Sequence, residues 1–367
     1  MKIRWHCLLA LAVLATAGTA RADLYGYLEA RYLKVNGAGP IVPSYSTTER
    51  VRPTLVEKLN SIPGVTITAT PQFLLNQFED EPMKFQKSSD YLTVERLYAD
   101  IDAGPARVRI GRQAVNWGSA LIWNPTDVFQ EVFLTDYWSE RQGLNALRVY
   151  VPLPKESRVT AVVTTGDTLF YQNRYALKAS ITRWGTDFSG VWMDDTVHNR
   201  LVWGIDLKGN AGVGYWIEAA DFAPKDGGAE YQQAVLGVDY SFPVLGTLYL
   251  AAQYYYDGSG AGHPENYNFS ALSLGTRRTL AMHYANLIAT LNINPDLAFS
   301  ALAIENLDDS TYLVTPYLVY TYKNFRVTGG VNLAGGPEGG EFNPHPSQDR
   351  LGIVPDTAYY LWGRWYF

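Results

Sequence analysis

Apolar and polar side chains alternate with a period of two in many short stretches of this chain. At the C-terminal end, Tyr359, Leu361, Trp365 and Phe367 lie on one face, and a more polar set that includes Arg364 lies between them. Because successive side chains of a β-strand point to opposite faces, this alternation predicts a strand between an apolar and a mixed environment. The pattern recurs at residues 65–72, 201–208, 213–220, 233–240 and 248–255, so the chain is predicted to be all-β.

Short turns rich in Gly, Pro, Asn and Asp alternate along the chain with longer polar loops. The longer loops are predicted at residues 34–48, 76–90, 116–143, 257–279 and 334–356. Counting the segments between connections gives about 18 strands, ending in a strand with a terminal Phe, or about 16 if one hairpin is absent. Alternating short and long connections are typical of a transmembrane antiparallel up-and-down β-barrel. The alternative is a secreted β-sandwich or β-propeller, although no blade-length repeat is present.

The first 22 residues have the features of a secretory signal peptide. A basic start at residues 1–4 precedes an apolar run at residues 7–17, and residues 20–22 form a small-x-small cleavage site. We therefore expect residues 1–22 to be removed and residues 23–367 to form a single barrel domain. The remaining chain has no apolar run of about 18 residues, so no membrane-spanning helix is expected.

Composition restricts the cofactors and partners. The chain has 30 basic and 36 acidic residues, and three of the basic ones lie in the predicted signal peptide, which leaves 27 against 36 and a net charge of −9. An acidic chain is an unsuitable partner for nucleic acid. The only cysteine, Cys7, also lies in the signal peptide, so we expect no cofactor and no metal site. Aromatic residues make up 14% of the chain, which suits the two interfacial girdles of a membrane barrel.

The densest motif is Gly-Arg-Gln at residues 111–113, Trp-Gly at 117–118 and Asn-Pro-Thr-Asp at 124–127. It resembles a group of bacterial outer-membrane barrels related to the alginate-export and porin-like families, and residues 305–310 and 339–342 are weaker matches. The resemblance implies a conduit for an acidic exopolysaccharide with a strongly basic lumen. This chain departs from that pattern, because its predicted lumen faces carry acidic as well as basic residues.

Residues 116–143 are too many for a simple connection, and we expect this loop to fold into the lumen and narrow it. Two interpretations of its charged residues are open. They line a constriction that selects solutes by charge and size, or Arg112 and Asp127 form an ion pair that holds the loop against the wall. The residues predicted for the constriction are Arg109, Arg112, Gln113, Trp117, Asn124, Asp127, Glu140 and Arg141.

Four aromatic residues fall at predicted lumen positions, where rings can stack on sugars. They are Trp216, Tyr249, Tyr255 and Trp362. The alternative role is packing in a girdle or at an end of the barrel. On the outer face of the last strand, Trp365 and Phe367 resemble the signal that the barrel-assembly machinery reads in outer-membrane proteins.

The sequence thus predicts an outer-membrane channel that passes hydrophilic solutes or saccharide, with the outer port of an exopolysaccharide export system as one form. The alternative is a structural sleeve around a lipoprotein or cytochrome partner. We expect no enzymatic activity. The expected surroundings are outer-membrane lipid and lipopolysaccharide, with both termini in the periplasm. Periplasmic export components are further expected partners if the channel exports.

Overall fold

The protein is described by a computed structural model as a closed barrel of 18 antiparallel strands. The structure describes residues 23–36, 45–59, 61–78, 91–127, 129, 141, 143–165, 173–273, 277–345 and 356–367. The predicted signal peptide and Glu140 lie outside these residues. The strands are β1 (Asp23–Asn36), β2 (Tyr45–Lys58), β3 (Val65–Phe78), β4 (Tyr91–Ala103), β5 (Ala106–Gln113), β6 (Leu144–Leu153), β7 (Ser157–Thr165), β8 (Arg174–Arg183), β9 (Thr186–Asp195), β10 (Arg200–Asn210), β11 (Gly214–Pro224), β12 (Tyr231–Phe242), β13 (Thr247–Asp257), β14 (His283–Asn292), β15 (Leu297–Asn306), β16 (Thr311–Tyr322), β17 (Phe325–Gly335) and β18 (Thr357–Tyr366).

Each strand pairs with its neighbours in sequence, and β1 also pairs with β18, which closes the barrel. The register at the closure sets Glu29 opposite Arg364 and Tyr27 opposite Tyr366. The predicted up-and-down barrel of 18 strands is therefore confirmed, and the sandwich, the propeller and the 16-strand count are wrong.

The two ends of the barrel differ in the length of their connections. At one end, which we call the short-turn end, consecutive strands are joined by two to six residues. At the other, the long-loop end, β5 and β6 are joined by residues 114–143, β13 and β14 by 258–282, and β17 and β18 by 336–356. Both β1 at its start and β18 at its finish reach the short-turn end.

The two faces of the barrel wall have opposite character. On β11, Trp216, Glu218 and Ala220 are buried inside the barrel, while Ile217 between them is exposed on the outside. On the outer face, large apolar side chains are exposed around the barrel. Examples are Leu97, Ile110, Leu147, Leu177, Trp203, Ile205, Leu236, Leu287, Leu318 and Leu361. Such a contiguous apolar exterior is the surface that a bilayer covers.

Helical structure in the described segments is confined to the connection between β13 and β14. It consists of a 3₁₀ turn at Pro264–Asn266 and one α-helical turn at Phe269–Ser273. No helix in these segments is long and apolar enough to cross a membrane.

Candidate functional site

The chain leaves β5 and enters the barrel, and we call residues 114–127 the inward segment. Its Val115 and Trp117 pack in an apolar cluster with lumen-facing side chains of β6 to β11, including Val162 and Met193. Its Ile122 and Trp123 pack in a second cluster with lumen-facing side chains of β11 to β15. The inward segment therefore occupies part of the lumen and lies against one side of the wall.

A single buried carboxylate, Glu218 on β11, holds the inward segment in place. Glu218 Oε1 accepts hydrogen bonds from the backbone N–H groups of Ser119 at 2.5 Å and Ala120 at 2.6 Å. Its Oε2 accepts from the Thr126 hydroxyl at 2.8 Å and the Thr126 N–H at 3.3 Å. The side chain is completely enclosed. Because one carboxylate accepts from donors at both ends of residues 119–126, a stretch of eight residues, it fixes the fold of that stretch.

The Trp-Gly part of the motif is explained by the same carboxylate. Gly118 has a φ of +84°, a conformation that favours glycine. A Cβ atom at this position would lie 2.6 Å from Asn124 Oδ1 and 2.8 Å from Glu218 Oε2. The absence of a side chain at residue 118 therefore lets Glu218 approach the backbone, and the motif residues Gly118, Asn124 and Thr126 form one unit.

The ion pair of Asp127 differs from the one that the sequence predicts. In the part of the chain that the structure describes, Arg141 Nη1 contacts Asp127 Oδ2, whereas Arg112 forms no ion pair with Asp127. The Arg141 carbonyl oxygen accepts a hydrogen bond from Arg96 of β4. Asp127 is buried, so the pair ties the inward segment, through Arg141, to the β4 wall.

The alternation of side chains between the two faces of β5 separates Arg112 from the other predicted constriction residues. The β4–β5 register is regular through Gly111 and pairs Arg112 with Leu97, which is exposed on the outer face. Gly111 has a φ of +120°, and a Cβ atom there would overlap the Leu97 carbonyl oxygen. Arg112 therefore belongs to the outer face of the wall. Gln113 is buried on the lumen side, and its Nε2 donates to the Ala146 carbonyl at 2.9 Å.

A cavity of about 640 Å³ lies in the lumen at the short-turn end, bounded on one side by Asn116 and Trp117 of the inward segment. Its ionisable lining residues are mostly cationic. They are Arg107, Arg109, Arg148, Arg158 and Lys178, together with the anions Asp100 and Asp102. We call this space the basic cavity.

Ion pairs account for part of this charge. Arg109 forms a bidentate pair with Asp100, with Nε–Oδ1 and Nη2–Oδ2 distances of 2.7 and 2.8 Å, and its guanidinium lies 4.1 Å from the ring centre of Tyr98. Lys178 Nζ donates to Asp206 Oδ2 at 3.0 Å. Asp206 in turn accepts from the Ser119 hydroxyl, so this pair joins the cavity wall to the inward segment.

Arg148 carries charge into the basic cavity without a counter-ion of its own. Within the described segments it has no ion pair, and the β5–β6 register places it directly opposite Arg109. Like charges opposite each other across two strands destabilise a sheet. The Asp100 carboxylate, which is bound to Arg109, also acts on Arg148, so two arginines share one anion and the excess positive charge favours a further anion.

A second basic surface lies on β1, β2, β4 and β18, which we call the arginine wall. Glu29 is buried at its centre, with Oε1 2.7 Å from Arg31 Nε and 3.5 Å from Arg50 Nη1, and with Oε2 accepting from Arg364 Nε at 2.8 Å. Three cations thus surround one anion. The other members of the wall are Arg52 and Arg96, which both pair with Glu95.

The predicted sugar-stacking residues lie on the lumen side, but two of them are covered. Trp216 is fully buried, and its indole N–H donates to Gln253 at 3.1 Å. Tyr255 is buried and stacks on Trp123 of the inward segment at 4.8 Å. These two rings therefore pack against the inward segment, and stacking of a sugar on them is excluded in this conformation.

The other two predicted rings also contact protein groups. Tyr249 donates from its hydroxyl to Asp239 at 3.1 Å. Trp362 stacks on Tyr360 at 5.4 Å, and the Arg31 guanidinium lies 4.9 Å from its ring centre. Trp362 is thus part of the arginine wall rather than an isolated platform.

The predicted assembly residues, Trp365 and Phe367, lie at the barrel closure. Their ring centres are 5.6 Å apart, and Trp365 is exposed on the outer face. The Phe367 backbone exchanges two hydrogen bonds with Gly26 of β1, at 3.0 and 3.1 Å. This geometry ties the end of β18 to the start of β1.

Three charged residues of the site, Glu218, Arg148 and Glu29, are not among the predicted constriction residues, although Glu218 and Glu29 belong to the acidic residues of the predicted lumen faces. Each occupies a lumen position in the alternation, where a charged residue is the available signal. Their partners lie far away along the chain, for example Thr126 at 92 residues from Glu218 and Arg364 at 335 residues from Glu29. The spacing within a single strand therefore gives no indication of these contacts.

Known structures share the architecture. A variant of OccD1 (OprD) is 10% identical to this chain, covers 95% of each chain and gives a TM-score of 0.61. OccK5 (OpdH) of Pseudomonas aeruginosa is 10% identical, covers 94% of this chain and 98% of its own, and gives 0.59. A triple mutant of Rhodopseudomonas blastica porin is 13% identical, covers 94% and 100%, and gives 0.52.

These likenesses establish the fold, a porin-type barrel, and at such low identity they establish only that. No protein-family model matches the chain, and no curated protein matches it in sequence. The class that the fold defines is therefore an 18-stranded barrel of porin type with an inward-folded segment.

Proposed function

We propose that this chain is an outer-membrane β-barrel channel that passes hydrophilic solutes by diffusion and favours anions. The apolar outer face and the closed ring of strands support a position within a bilayer, where every backbone group must be paired. The location of both β1 and β18 ends beside the short turns supports a periplasmic short-turn end. The porin-type fold supports a channel over an enzyme.

The observation that carries the proposal is the pair Arg109 and Arg148 in the basic cavity. An arginine fork donates to both oxygens of a carboxylate or phosphate, and it keeps its charge at every physiological pH. Arg109 is neutralised by Asp100, but Arg148 adds a charge that the described residues do not pair. An anionic solute in this cavity gains attraction from Arg148, while a cation of the same size is repelled.

Uptake into proteoliposomes tests this function directly. The protein is refolded into liposomes, and the entry of a monomeric sugar acid is compared with that of a neutral sugar of similar size. The channel predicts entry of both, with faster entry of the sugar acid. Liposomes that exclude both solutes, with the protein shown to be folded by heat-modifiable gel mobility, would contradict the function.

Export of an acidic exopolysaccharide is a second candidate, favoured by the combination of the basic cavity and the arginine wall. A polymer needs a continuous path wide enough for its rings, whereas the inward segment occupies part of the lumen. Export predicts that an acidic oligosaccharide blocks the sugar-acid flux with high affinity. A simple diffusion channel predicts weak block that depends only on oligosaccharide size.

The sleeve around a lipoprotein or cytochrome is the least supported alternative. A folded partner would need the volume that Trp117, Ile122 and Trp123 of the inward segment fill. These side chains are buried in two apolar clusters with the barrel wall. Displacing them would expose apolar surface, which costs about 25 cal/mol per Å².

A further inference from the structure

Four neighbouring turns at the short-turn end are almost free of charge. They join β8 to β9, β10 to β11, β12 to β13 and β14 to β15, at residues 184–185, 211–213, 243–246 and 293–296. We call these four turns the apolar arc. Asp296 is the only ionisable residue in their sequence. Their exposed large apolar side chains are Trp184, Val213, Val244, Leu245 and Ile293.

The turns on the rest of the rim have a different composition. Residues 154–156 are Pro-Lys-Glu and residues 323–324 are Lys-Asn, and both lysines are exposed. In the connection between β2 and β3, Ile62 is exposed, but the next turn along the rim, at residues 104–105, is Gly-Pro. Within the described segments, adjacent turns with exposed large apolar side chains are therefore confined to the apolar arc.

Trp184 and Leu245 depart from the local preferences of their turns. Their φ angles are +53° and +48°, a region that bulky side chains rarely adopt, and a glycine with a positive φ follows each of them. Asn, Asp and Gly are the residues that such turns favour. The two side chains are 91% and 77% exposed, the highest values among the large apolar residues described. Burial within the described chain therefore does not offset the unfavourable conformation, and this points to apolar surroundings outside the chain.

The apolar outer face of β12 is continuous with the arc. Four exposed apolar side chains follow at alternate positions on that face, namely Leu236, Val238, Tyr240 and Phe242. The next position in this alternation is Val244, which is also exposed, and Leu245 follows it at the tip of the turn. The surface that a bilayer covers therefore continues beyond the end of the strand and onto the turn.

The residues around Trp184 suit the headgroup region of a lipid leaflet. Arg183 precedes it, and the alternation of β8 places Arg183 on the outer face with Leu177 and Ile181. The long apolar stem of an arginine lies along an apolar face while its guanidinium reaches lipid phosphates. Tryptophan is enriched at the same depth, because its ring is largely apolar and its N–H needs a polar partner.

Several backbone donors of the arc have partners within the protein. The Gly212 N–H donates to Asn210 Oδ1 at 2.9 Å, and the Val244 N–H donates at 2.9 Å to the carbonyl group two residues before it. The Ile293 N–H donates to the Leu297 carbonyl at 3.0 Å. Because these groups do not depend on water for a partner, the turns that carry them can lie against lipid at a lower cost.

We propose that the apolar arc is a membrane-contact surface, immersed in the lipid leaflet at the short-turn end, while the lysine-bearing turns of the same rim lie in water. The barrel then lies deeper in the bilayer at the turns from β8 to β15 than at the turns after β6 and β16. Lipid is favoured over a protein partner because the arc continues the lipid-facing surface of β12. This inference rests on the bilayer position that the proposed function requires, and it is independent of the solute.

Site-directed fluorescence of the chain in liposomes tests this contact, since residues 23–367 contain no cysteine. Trp184→Cys and Leu245→Cys are each labelled with a small environment-sensitive fluorophore. The vesicles consist of phosphatidylethanolamine and phosphatidylglycerol with a nitroxide-bearing lipid, the nitroxide being close to the headgroup. Iodide on both sides of the membrane serves as the quencher in water. We expect the nitroxide to quench both labels several-fold more strongly than iodide does.

Two further positions serve as controls. Lys323→Cys is the matched control, because Lys323 has a φ of +51° and begins a two-residue turn, as Trp184 does. Its label is expected to be quenched by iodide and protected from the nitroxide. Leu236→Cys lies on the outer face of β12 and reports, with a nitroxide placed in the acyl chain, whether the barrel lies in the bilayer.

The controls separate failure of this proposal from failure of the proposed function. Labels at residues 184 and 245 that behave like the Lys323→Cys label overturn the proposal, and lipid quenching at Leu236→Cys would then leave the channel function intact. Protection from both quenchers also overturns it, because such labels would be covered by a second copy of the protein. If lipid does not quench the Leu236→Cys label either, the bilayer position fails and the channel function fails with it.

Charge at the tips of the arc is expected to lift it out of the leaflet. Trp184→Lys is combined with Leu245→Lys, and Lys323 shows that a lysine adopts the required φ. A label at Val213→Cys, in the turn between them, should lose most of its quenching by the nitroxide. Ile62→Lys makes the same change outside the arc and should leave that label unaffected. A Val213→Cys label that the two lysines do not affect would overturn the proposal. If the double variant does not fold, the labels at residues 184 and 245 still decide.

Discussion

Thr126 and Glu218 are 92 residues apart in sequence and are joined by two hydrogen bonds to the same carboxylate oxygen. The Thr126 hydroxyl donates at 2.8 Å and its backbone N–H at 3.3 Å. The methyl group of Thr126 also lies over Gly204 of β10, where a Cβ atom would approach it to 2.9 Å. This contact fixes the inward segment against the wall, so the width of the part of the lumen that stays open depends on it.

Replacement of Glu218 is expected to release the inward segment. Glu218→Ala leaves the N–H groups of Ser119, Ala120 and Thr126 without an acceptor, and each buried unpaired donor costs about 1–3 kcal/mol. We expect a larger single-channel conductance and stronger current noise in a planar bilayer. Asp239→Asn is the control, because it removes a carboxylate from the lumen face of the next strand. Equal conductance of Glu218→Ala and the parent would contradict the anchoring role.

Replacement of Gly118 by alanine is expected to destabilise the protein more than the same replacement at Gly212, a glycine with the same backbone conformation. Gly118 and Gly212 both have a φ of +84°, but only Gly118 has neighbours where a Cβ atom would lie. Gly212→Ala measures the backbone strain alone, about 1 kcal/mol. Gly118→Ala adds overlap with Asn124 and Glu218. Unfolding by urea in detergent, followed by tryptophan fluorescence, should give a lower midpoint for Gly118→Ala, and equal midpoints would show that the close approach is unimportant.

Loss of charge at Arg148 is expected to weaken anion preference. Arg148→Gln removes a cation of the basic cavity that has no ion pair among the described residues, and it keeps a similar length of side chain. The ratio of anion to cation permeability should fall roughly two- to tenfold. Lys155→Gln removes a cation from the exposed turn between β6 and β7 and should have little effect. A larger effect at Lys155 than at Arg148 would show that the cavity does not control selectivity.

Neutralising Glu29 is expected to weaken the barrel closure. Glu29→Gln leaves Arg31, Arg50 and Arg364 around a neutral group, and removal of one partner of a buried ion pair costs about 3–5 kcal/mol. The folded form should lose its heat-modifiable gel mobility at a lower temperature than the parent. Glu57→Gln, at the exposed end of β2, should resemble the parent. If Glu29→Gln and Glu57→Gln both lose the folded gel mobility at the same temperature as the parent, the arginine wall does not depend on Glu29.

The fold is predictable from the sequence because alternation is a local property. The alternation of apolar and polar residues within each strand indicates the two environments of that strand. The number of strands therefore follows from the number of alternating segments. Strand bounds are less well predicted. The loop expected at residues 34–48 includes the end of β1 and the start of β2, since these strands have 14 residues and exceed the ~9–11 needed to cross a bilayer.

The site is predictable only in part. The length of the connection at 116–143 predicts an inward fold, and residues 114–127 lie among lumen-facing side chains. The charged contacts depend on register between distant strands, which alternation alone does not supply. Arg112 is an example, because its neighbour Gly111 has a φ of +120° and the β4–β5 pairing, which the alternation does not supply, places Arg112 on the outer face. Trp216 and Tyr255 have the predicted direction, but the inward segment covers them.

The most direct test of an anion-favouring channel is the reversal potential of single channels under a KCl gradient. The refolded protein is placed in a planar bilayer, and the voltage of zero current is measured. The basic cavity and the arginine wall predict a steady conductance with a reversal potential displaced toward that of chloride. A displacement toward potassium, or a folded barrel that carries no current at any pH, would contradict the account.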